Sequence, residues 1–412
     1  MLNSTSTHRR QHSRRGAAWP LLLASLGLVM AASALAVDAA MLWQARQELQ
    51  VAADASALGA MLELADDQLL RQFPGGIKQA TDRAADMSVV LANRHHVLGV
   101  PLRLEPFDSP ERDFTLGFID DPSSPLQPVV EDFDNPNINA LQITARRTRE
   151  RGTPVGLFFT RLFRLSSANV AASATAMLER RVIGFRPAGD IRIPLMPIGI
   201  LSDPSAIEER SWEAQIDKPL STGAVRDQWM FDKSNQTWST TDDSQQMGDG
   251  LPEMQVTIPL EGNLEEANGI MLQFGPVSPQ QWREQATRGL GLEDLVDFQG
   301  QLSLNWDGLL PVEQAAMPAE KARRLLMDTL EQLSERGIAR VWPLYIQVSG
   351  NSDENPSGYM IRGFVAARIA QVQVNEQSLQ LTLQPTVLIT NTALTQLSAE
   401  ANPYVGKVML IK

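Results

Sequence analysis

One stretch near the beginning of the chain decides the fold, and it reads Asp38-Ala-Ala-Met-Leu-Trp-Gln-Ala-Arg46-Gln-Glu-Leu49-Gln50-Val-Ala-Ala-Asp54-Ala-Ser-Ala-Leu58. The stretch is rich in alanine, and neither proline nor glycine interrupts it. These properties predict a long helix. We expect this helix to continue to about Phe73 and to end at Pro74-Gly75-Gly76, where turn-forming residues begin.

The residues directly before this helix predict a membrane span. Residues 17–37 carry no charged side chain, and the only charged residues ahead of them are four arginines. A helix of about 20 apolar residues crosses a hydrocarbon core of about 30 Å. Because positive residues stay on the cytoplasmic side, we expect a basic cytoplasmic tail over 1–16, a transmembrane helix over 17–37, and all later residues outside the cytoplasm.

The apolar run also has a second interpretation, which is a cleaved signal peptide. Ala34-Leu35-Ala36 is an acceptable small-x-small cleavage site. The run is longer than the roughly 7–15 apolar residues that are usual in a signal peptide. The helical pattern also continues past the cleavage site without a break. We therefore favour the uncleaved anchor and keep the cleaved form as the alternative.

Charge and cysteine content exclude several functional classes. The chain has 36 basic residues, of which 32 follow the four leading arginines, against 48 acidic residues. This acidic balance argues against a nucleic-acid partner, which requires a basic face. The chain contains no cysteine, which excludes disulfides, thiolate zinc sites and cysteine nucleophiles.

The rest of the chain mixes helical and strand patterns. Helices are predicted at 38–73, 78–93, 154–165, from Ser278 onward and at 318–336, where Gly337 is the expected stop. Strands are predicted at 139–145, 169–178, 341–349, 359–374 and 379–389, with loops at 187–219 and 233–250. The predicted fold class is α+β, with an N-terminal transmembrane helix that continues into a long soluble helix, followed by a β-rich mixed ectodomain.

The same patterns divide the chain into units. We expect a helical stalk over 38–94, a β-rich ectodomain part over 95–232 and a mixed α/β C-terminal part over 251–412. The length of the chain suggests two or more folding units.

Few residues suggest chemistry. His95-His96 has no spaced third ligand for zinc, and we interpret it as an exposed or partly buried pair. The acidic groups Glu131-Asp132-x-Asp134 and Asp242-Asp243 lack the spacing of a calcium loop, and we interpret them as solvated turns. The sequence therefore predicts no catalytic, cofactor-binding or metal-binding residue, and no cofactor.

Three groups of residues resemble a known family. Ala36-Val37-Asp38 with the later residues of the opening stretch resembles the motif of the TadE/TadG-like Flp (Tad) pilus-assembly family. Residues 139–144, 154–163 and 170–176 resemble a TadG-type ectodomain, and 342–364 are similar to the C-terminal part of longer members. The residues that match the family motif most specifically are Asp38, Arg46, Leu49, Gln50, Ala53, Asp54 and Leu58.

The resemblance implies a membrane-anchored, non-catalytic structural or assembly component of a Tad-type pilus in the bacterial inner membrane. Its partners would be pilin-like or Tad assembly-platform proteins. The alternative is an exported envelope binding protein or adhesin with a cleaved signal peptide. The alanines of the helix also have two interpretations. Small residues let partner helices approach closely, and they equally suit a helix that packs over a soluble core.

Overall fold

A computed structural model describes residues 18–71, 76–105, 112–122, 129–131, 138–160, 166–217, 226–241, 248–262, 266–276, 278–348 and 358–411. It confirms the α+β class, because a long apolar N-terminal helix precedes β-rich mixed sheets with few helices. The basic tail at 1–16 and four of the turn acids lie outside the described residues; these acids are Asp132, Asp134, Asp242 and Asp243.

The described part contains four α-helices, which are α1 (Ala18–Leu64), α2 (Gly76–Arg94), α3 (Pro279–Arg288) and α4 (Glu320–Glu335). Those expected at 78–93, from Ser278 and at 318–336 are confirmed. The Ser278 hydroxyl accepts a hydrogen bond of 3.1 Å from the Gln281 N–H and caps α3. Gly337 adopts φ +57° directly after α4, which is the glycine stop that the sequence predicts.

The strands are β1 (His96–Val97), β2 (Val100–Pro101), β3 (Phe114–Phe118), β4 (Val130–Glu131), β5 (Ala140–Arg147), β6 (Val155–Gly156), β7 (Ser167–Ala168), β8 (Val170–Glu179), β9 (Val182–Phe185), β10 (Ile198–Leu201), β11 (Trp229–Asp232), β12 (Thr237–Thr240), β13 (Met254–Pro259), β14 (Gly269–Met271), β15 (Leu302–Ser303), β16 (Leu310–Val312), β17 (Arg340–Val348), β18 (Gly358–Val374), β19 (Ser378–Pro385), β20 (Leu388–Ile389), β21 (Ala393–Thr395) and β22 (Val405–Ile411). All five strand expectations coincide with strands of this set.

A six-stranded sheet carries the long helix. Its order is β20-β22-β8-β5-β3-β4. Helix α1 packs on β8 and β5, and α2 packs on α1, so that helices and sheet enclose one apolar core. The last strand of the chain, β22, pairs antiparallel with β8. Strands β3, β4, β5 and β8 and the much later strands β20 and β22 therefore build this sheet together.

A seven-stranded sheet forms the second core. Its order is β13-β19-β18-β17-β10-β14, and β16 also pairs with β18. Helix α4 packs against β18 and against α3. Strand β10 lies within the predicted loop 187–219, so that expectation is wrong for residues 198–201. These residues are a short apolar run after Pro197, and such a run forms a fully buried strand when neighbours cover both faces.

Two further expectations are wrong. The helix predicted over 154–165 is wrong for residues 155–156, which form β6 and pair with β7; residues 161–165 lie outside the described part of the chain. A short apolar run does not by itself distinguish helix from strand. The loop expected at 233–250 contains β12, which pairs with β11 as a hairpin. Its threonines and Trp238 suit a strand.

Helix α1 also ends earlier than expected, at Leu64, and a short 3-10 turn follows at Asp67–Leu69. The reason is tertiary contact at Asp67. Its carboxylate pairs with Arg368 at 2.8 Å and Lys233 at 3.1 Å, and accepts hydrogen bonds from the Thr386 hydroxyl at 2.6 Å and the Val387 N–H at 2.8 Å. One buried carboxylate thus joins the end of α1 to the seven-stranded sheet.

We expect Asp67→Asn to lower the free energy of unfolding by about 3–5 kcal/mol, because it leaves the buried Arg368 guanidinium without its counter-charge. Chemical denaturation of the purified chain measures this. Glu320→Gln is the control, since it removes an exposed pair with Arg324 that contributes at most about 1 kcal/mol. Equal losses in both variants would contradict the role assigned to Asp67.

Candidate functional site

Helix α1 divides into two parts of different surroundings. Residues 19–37 are exposed almost throughout and largely apolar, whereas from Asp38 onward one face of the helix is buried against α2 and the six-stranded sheet. By length and composition, α1 is the one described helix able to cross a membrane. At about 1.5 Å per residue, the exposed part is about 30 Å long.

Asp38 lies where the exposed part ends. Its side chain is only 2% exposed. One carboxylate oxygen accepts the Phe158 N–H at 2.9 Å, and the other accepts the Phe159 and Thr160 N–H groups at 3.1 and 2.8 Å. These three amides follow β6. The carboxylate therefore holds residues 158–160 against the helix where it leaves the packed fold.

These hydrogen bonds also keep the carboxylate charged. Burial tends to raise the pKa of Asp38, and the N–H groups of Thr160, Phe158 and Phe159 outweigh that effect, so the pKa lies below its usual 3.8. Hydrogen bonds to the ionised form account for a lowered pKa at a buried carboxylate. The Asp38 carboxylate therefore stays ionised at neutral pH.

The other family-motif residues serve the same packing. Leu49 and Ala53 are completely buried in the core of the six-stranded sheet, and Leu58 is half-buried against it. The Gln50 amide donates to the Ser173 carbonyl of β8 at 3.1 Å and to Asp54 at 2.8 Å. Arg46 is exposed.

The alanines of α1 were given two interpretations, contact with partner helices or packing over the chain's own core, and the structure supports the second for the buried ones. Ala45, Ala52, Ala53 and Ala60 are fully buried beneath α2 and the sheet. Gly59 also permits close approach of α2, because a Cβ built at this position would lie 2.1 Å from the Leu91 side chain of α2. Small residues on this face therefore let the chain's own elements approach α1 closely.

Comparison with known proteins agrees with this geometry. Residues 16–66 match the Tad family, described as Flp pilus-assembly TadE/G-like. The matched segment covers the exposed part of α1, Asp38 and the buried motif positions. No curated protein and no solved structure matched the chain. The chain thus contains a TadE/G-like Flp pilus-assembly domain at its N-terminus.

Of the residues considered for metal binding, His95, His96 and Glu131 lie in the described part of the chain. His95 is half-buried and His96 is exposed. Within the described ranges, no three histidine, aspartate or glutamate side chains come together as a ligand set. Glu131 lies in β4.

A cleft of about 450 Å³ opens elsewhere in the molecule, and the sequence gave no indication of it. Apolar side chains line it together with several polar and charged ones, among them Glu213, Asp217 and Arg362. Trp306 stands at its edge with 93% of its surface exposed. At its floor the Tyr404 hydroxyl donates to Asp217, whose pKa is raised by burial. Mixed lining of this kind suits a polar ligand with an apolar face.

Burial raises the pKa of three carboxyl groups near the end of α1, which are Asp227, Asp249 and Glu253. Burial raises the pKa of Glu253 to about 8, opposed by hydrogen bonds from the Gln228 and Trp229 N–H groups and assisted by Asp227 and Asp249. Burial likewise raises the pKa of Asp249 to about 6, although Arg71 counteracts it. The folded state therefore holds protons here that the unfolded chain releases.

We expect Asp38→Ala to release the β6–β7 loop from the helix. Hydrogen exchange at the Phe158, Phe159 and Thr160 amides should accelerate, because these donors lose their acceptor. Hydrogen–deuterium exchange with peptide resolution measures this. Asp54→Ala is the matched control, since Asp54 lies on the same helix and accepts its hydrogen bond from Gln50 of that helix. Unchanged exchange at 158–160 in the Asp38 variant would show that the Asp38 carboxylate does not hold these residues against the helix.

A second expectation concerns pH. Because Glu253 is protonated in the folded state up to about pH 8 and ionises near 4.5 when unfolded, the free energy of unfolding falls as pH rises through this window. The slope from this group reaches about 1.4 kcal/mol per pH unit. Glu253→Gln should flatten the slope, and the exposed control Glu261→Gln should not. Denaturation at several pH values decides, and identical slopes in all three proteins would show that Glu253 does not titrate in this way.

Proposed function

We propose that this chain is a membrane-anchored, non-catalytic component of a Tad-type pilus machinery, of the TadG type. Residues 1–16 lie in the cytoplasm, 17–37 cross the inner membrane, and the body from Asp38 onward lies outside the cytoplasm. The observation that carries the proposal is the coincidence of two boundaries at Asp38, within the matched segment. The exposed apolar part of the helix ends there and the packed fold begins there, while the pilus-assembly match extends over 16–66 on both sides.

A structural role is favoured over a catalytic one by what the motif residues do. Asp38, Leu49, Gln50 and Ala53 all hold α1 to the chain's own ectodomain. The cleft at Trp306 is lined by residues outside the matched segment. The pilus-assembly motif therefore builds a rigid continuation of the membrane span into the ectodomain.

The surface for Tad partners lies on the opposite side of the helix. Trp43, Val51 and Leu62 are exposed apolar side chains of the packed part, and they fall within about 100° of one another around α1. Leu49 and Ala53 face the core, so charged substitutions there would disrupt folding rather than test a partner. We propose that the exposed face contacts pilin-like or assembly-platform helices.

The alternative function is an exported envelope binding protein with a cleaved signal peptide. The cleft with its exposed Trp306 favours it, because such a site suits a ligand with a flat apolar face. Cleavage after Ala36 would also leave Asp38 and all of its hydrogen-bond partners in the mature protein. The two functions differ in whether residues 17–37 are retained.

The absence of cysteine permits a direct test of topology. In cells producing the full chain, Trp306→Cys should react with a membrane-impermeant maleimide after the outer membrane is opened. Ser4→Cys should react only after the inner membrane is permeabilised, because positive flanks hold residues 1–16 inside. Labelling of Ser4→Cys in sealed spheroplasts, or protection of Trp306→Cys, would reverse the proposed orientation.

A test of the partner surface uses Val51→Glu. The side chain is exposed, so the charge should change stability by no more than about 0.5 kcal/mol and leave membrane insertion intact. Pilus assembly in the source organism should be lost, because a charge is placed in an apolar contact. Val296→Glu, an exposed valine in the other half of the molecule, is the matched control. Normal pili with Val51→Glu would exclude this face as the contact.

A further inference from the structure

Two large apolar side chains stand exposed beside the exit of the long helix. Phe158 and Phe159 are 70% and 43% exposed. They lie in the loop between β6 and β7, and the preceding residue, Leu157, turns inward and is buried. Adjacent exposed phenylalanines of this size are unusual on a surface that faces only water.

Their position is fixed relative to the exposed part of α1. The backbone N–H groups of both residues donate to the two oxygens of Asp38, at 2.9 and 3.1 Å. The residue before Asp38 on the helix, Val37, is already exposed and begins the apolar run. The two aromatic rings therefore sit next to the helix at the level where it leaves the ectodomain.

We propose that Phe158 and Phe159 insert into the interfacial layer of the lipid bilayer, on its non-cytoplasmic face, and seat the ectodomain on the membrane. This inference rests on the proposed function only in requiring that residues 17–37 cross the membrane. It adds a second membrane contact, made by an element more than 100 residues away in sequence. Apolar side chains at the boundary between headgroups and acyl chains are stabilised by removal from water.

Lipid is the favoured contact of Phe158 and Phe159, because these side chains are continuous with the exposed apolar surface of α1 that the bilayer would cover. The Asp38 carboxylate is also suited to a position near the edge of the hydrocarbon layer. A carboxylate near the hydrocarbon layer is costly unless it is paired or hydrogen-bonded, and Asp38 receives three amide hydrogen bonds. Trp43, a further exposed aromatic residue, lies about 140° around the helix from Asp38, in the headgroup region where tryptophan is enriched.

Two contacts have a mechanical consequence. A single helix leaves the ectodomain free to tilt about its exit point, whereas a helix and an adjacent aromatic loop define a preferred orientation. Because Asp38 fastens the loop to the helix, the orientation of the span is passed directly to the six-stranded sheet. The exposed face of α1 with Val51 would then be held at a constant angle to the membrane.

The experiment uses single-cysteine variants of the full chain, which has no cysteine of its own. Leu28→Cys reports on the span, Phe158→Cys and Phe159→Cys on the loop, and Val296→Cys on an exposed apolar site of the other half. Each variant carries an environment-sensitive fluorophore and is reconstituted into vesicles of phosphatidylethanolamine and phosphatidylglycerol, with and without spin-labelled lipid. The proposal predicts a shift to shorter wavelength and loss of emission with spin-labelled lipid at 28, 158 and 159, and neither effect at 296.

The outcomes separate the two claims. If position 28 is quenched and positions 158 and 159 behave like 296, the span is correct and the membrane contact is overturned; these aromatics would then face water or a protein. If position 28 is not quenched either, the membrane anchor of the proposed function fails, and the contact fails with it. Circular dichroism of each labelled variant verifies that the fold is retained.

Discussion

The three hydrogen bonds between the Asp38 carboxylate and the amides of Phe158, Phe159 and Thr160 are the contact on which the rest of the arrangement depends. A charged group at the end of an apolar helix needs compensation, and here the amides of residues 158–160 provide it. These residues are thereby held against α1, and the helix continues without interruption from its exposed part into the core. The exposed apolar part of the helix and the folded body are joined by packing as well as by the chain.

A second carboxylate completes this arrangement at the other end of the packed helix. Asp67 connects the end of α1 to Arg368 of β18 and to the start of the segment leading to β20. The buried face between Asp38 and Asp67 is mostly alanine and leucine, with Ser56 and Met61 among them. Small side chains permit the close approach of α2, β5 and β8, so the helix is fixed along its whole packed length.

Much of this could be predicted from sequence because the signals are local. The uncharged run, the alanine-rich helix, the Ser278 cap and the alternation at 359–374 each depend on neighbouring residues, and the structure has the corresponding elements. Tertiary partners were beyond prediction. The pairing of Asp67 with Arg368 spans 301 positions, and no local pattern marks it. Residues 155–156 form a strand where the sequence predicts a helix, because their apolar run is short and their pairing partner, β7, is not marked by any local pattern. The cleft at Trp306 could not be predicted either, because its lining residues come from segments that are distant in sequence.

The central claim is that α1 works as one retained helix, anchored in the membrane before Asp38 and in the ectodomain after it. The most direct measurement is the intact mass of the mature protein purified from the membrane fraction, with N-terminal sequencing. The account predicts a mature protein that retains residues 17–37 and that detergent, but not high salt, extracts. A soluble mature protein beginning at Val37 would contradict it and would favour an exported binding protein.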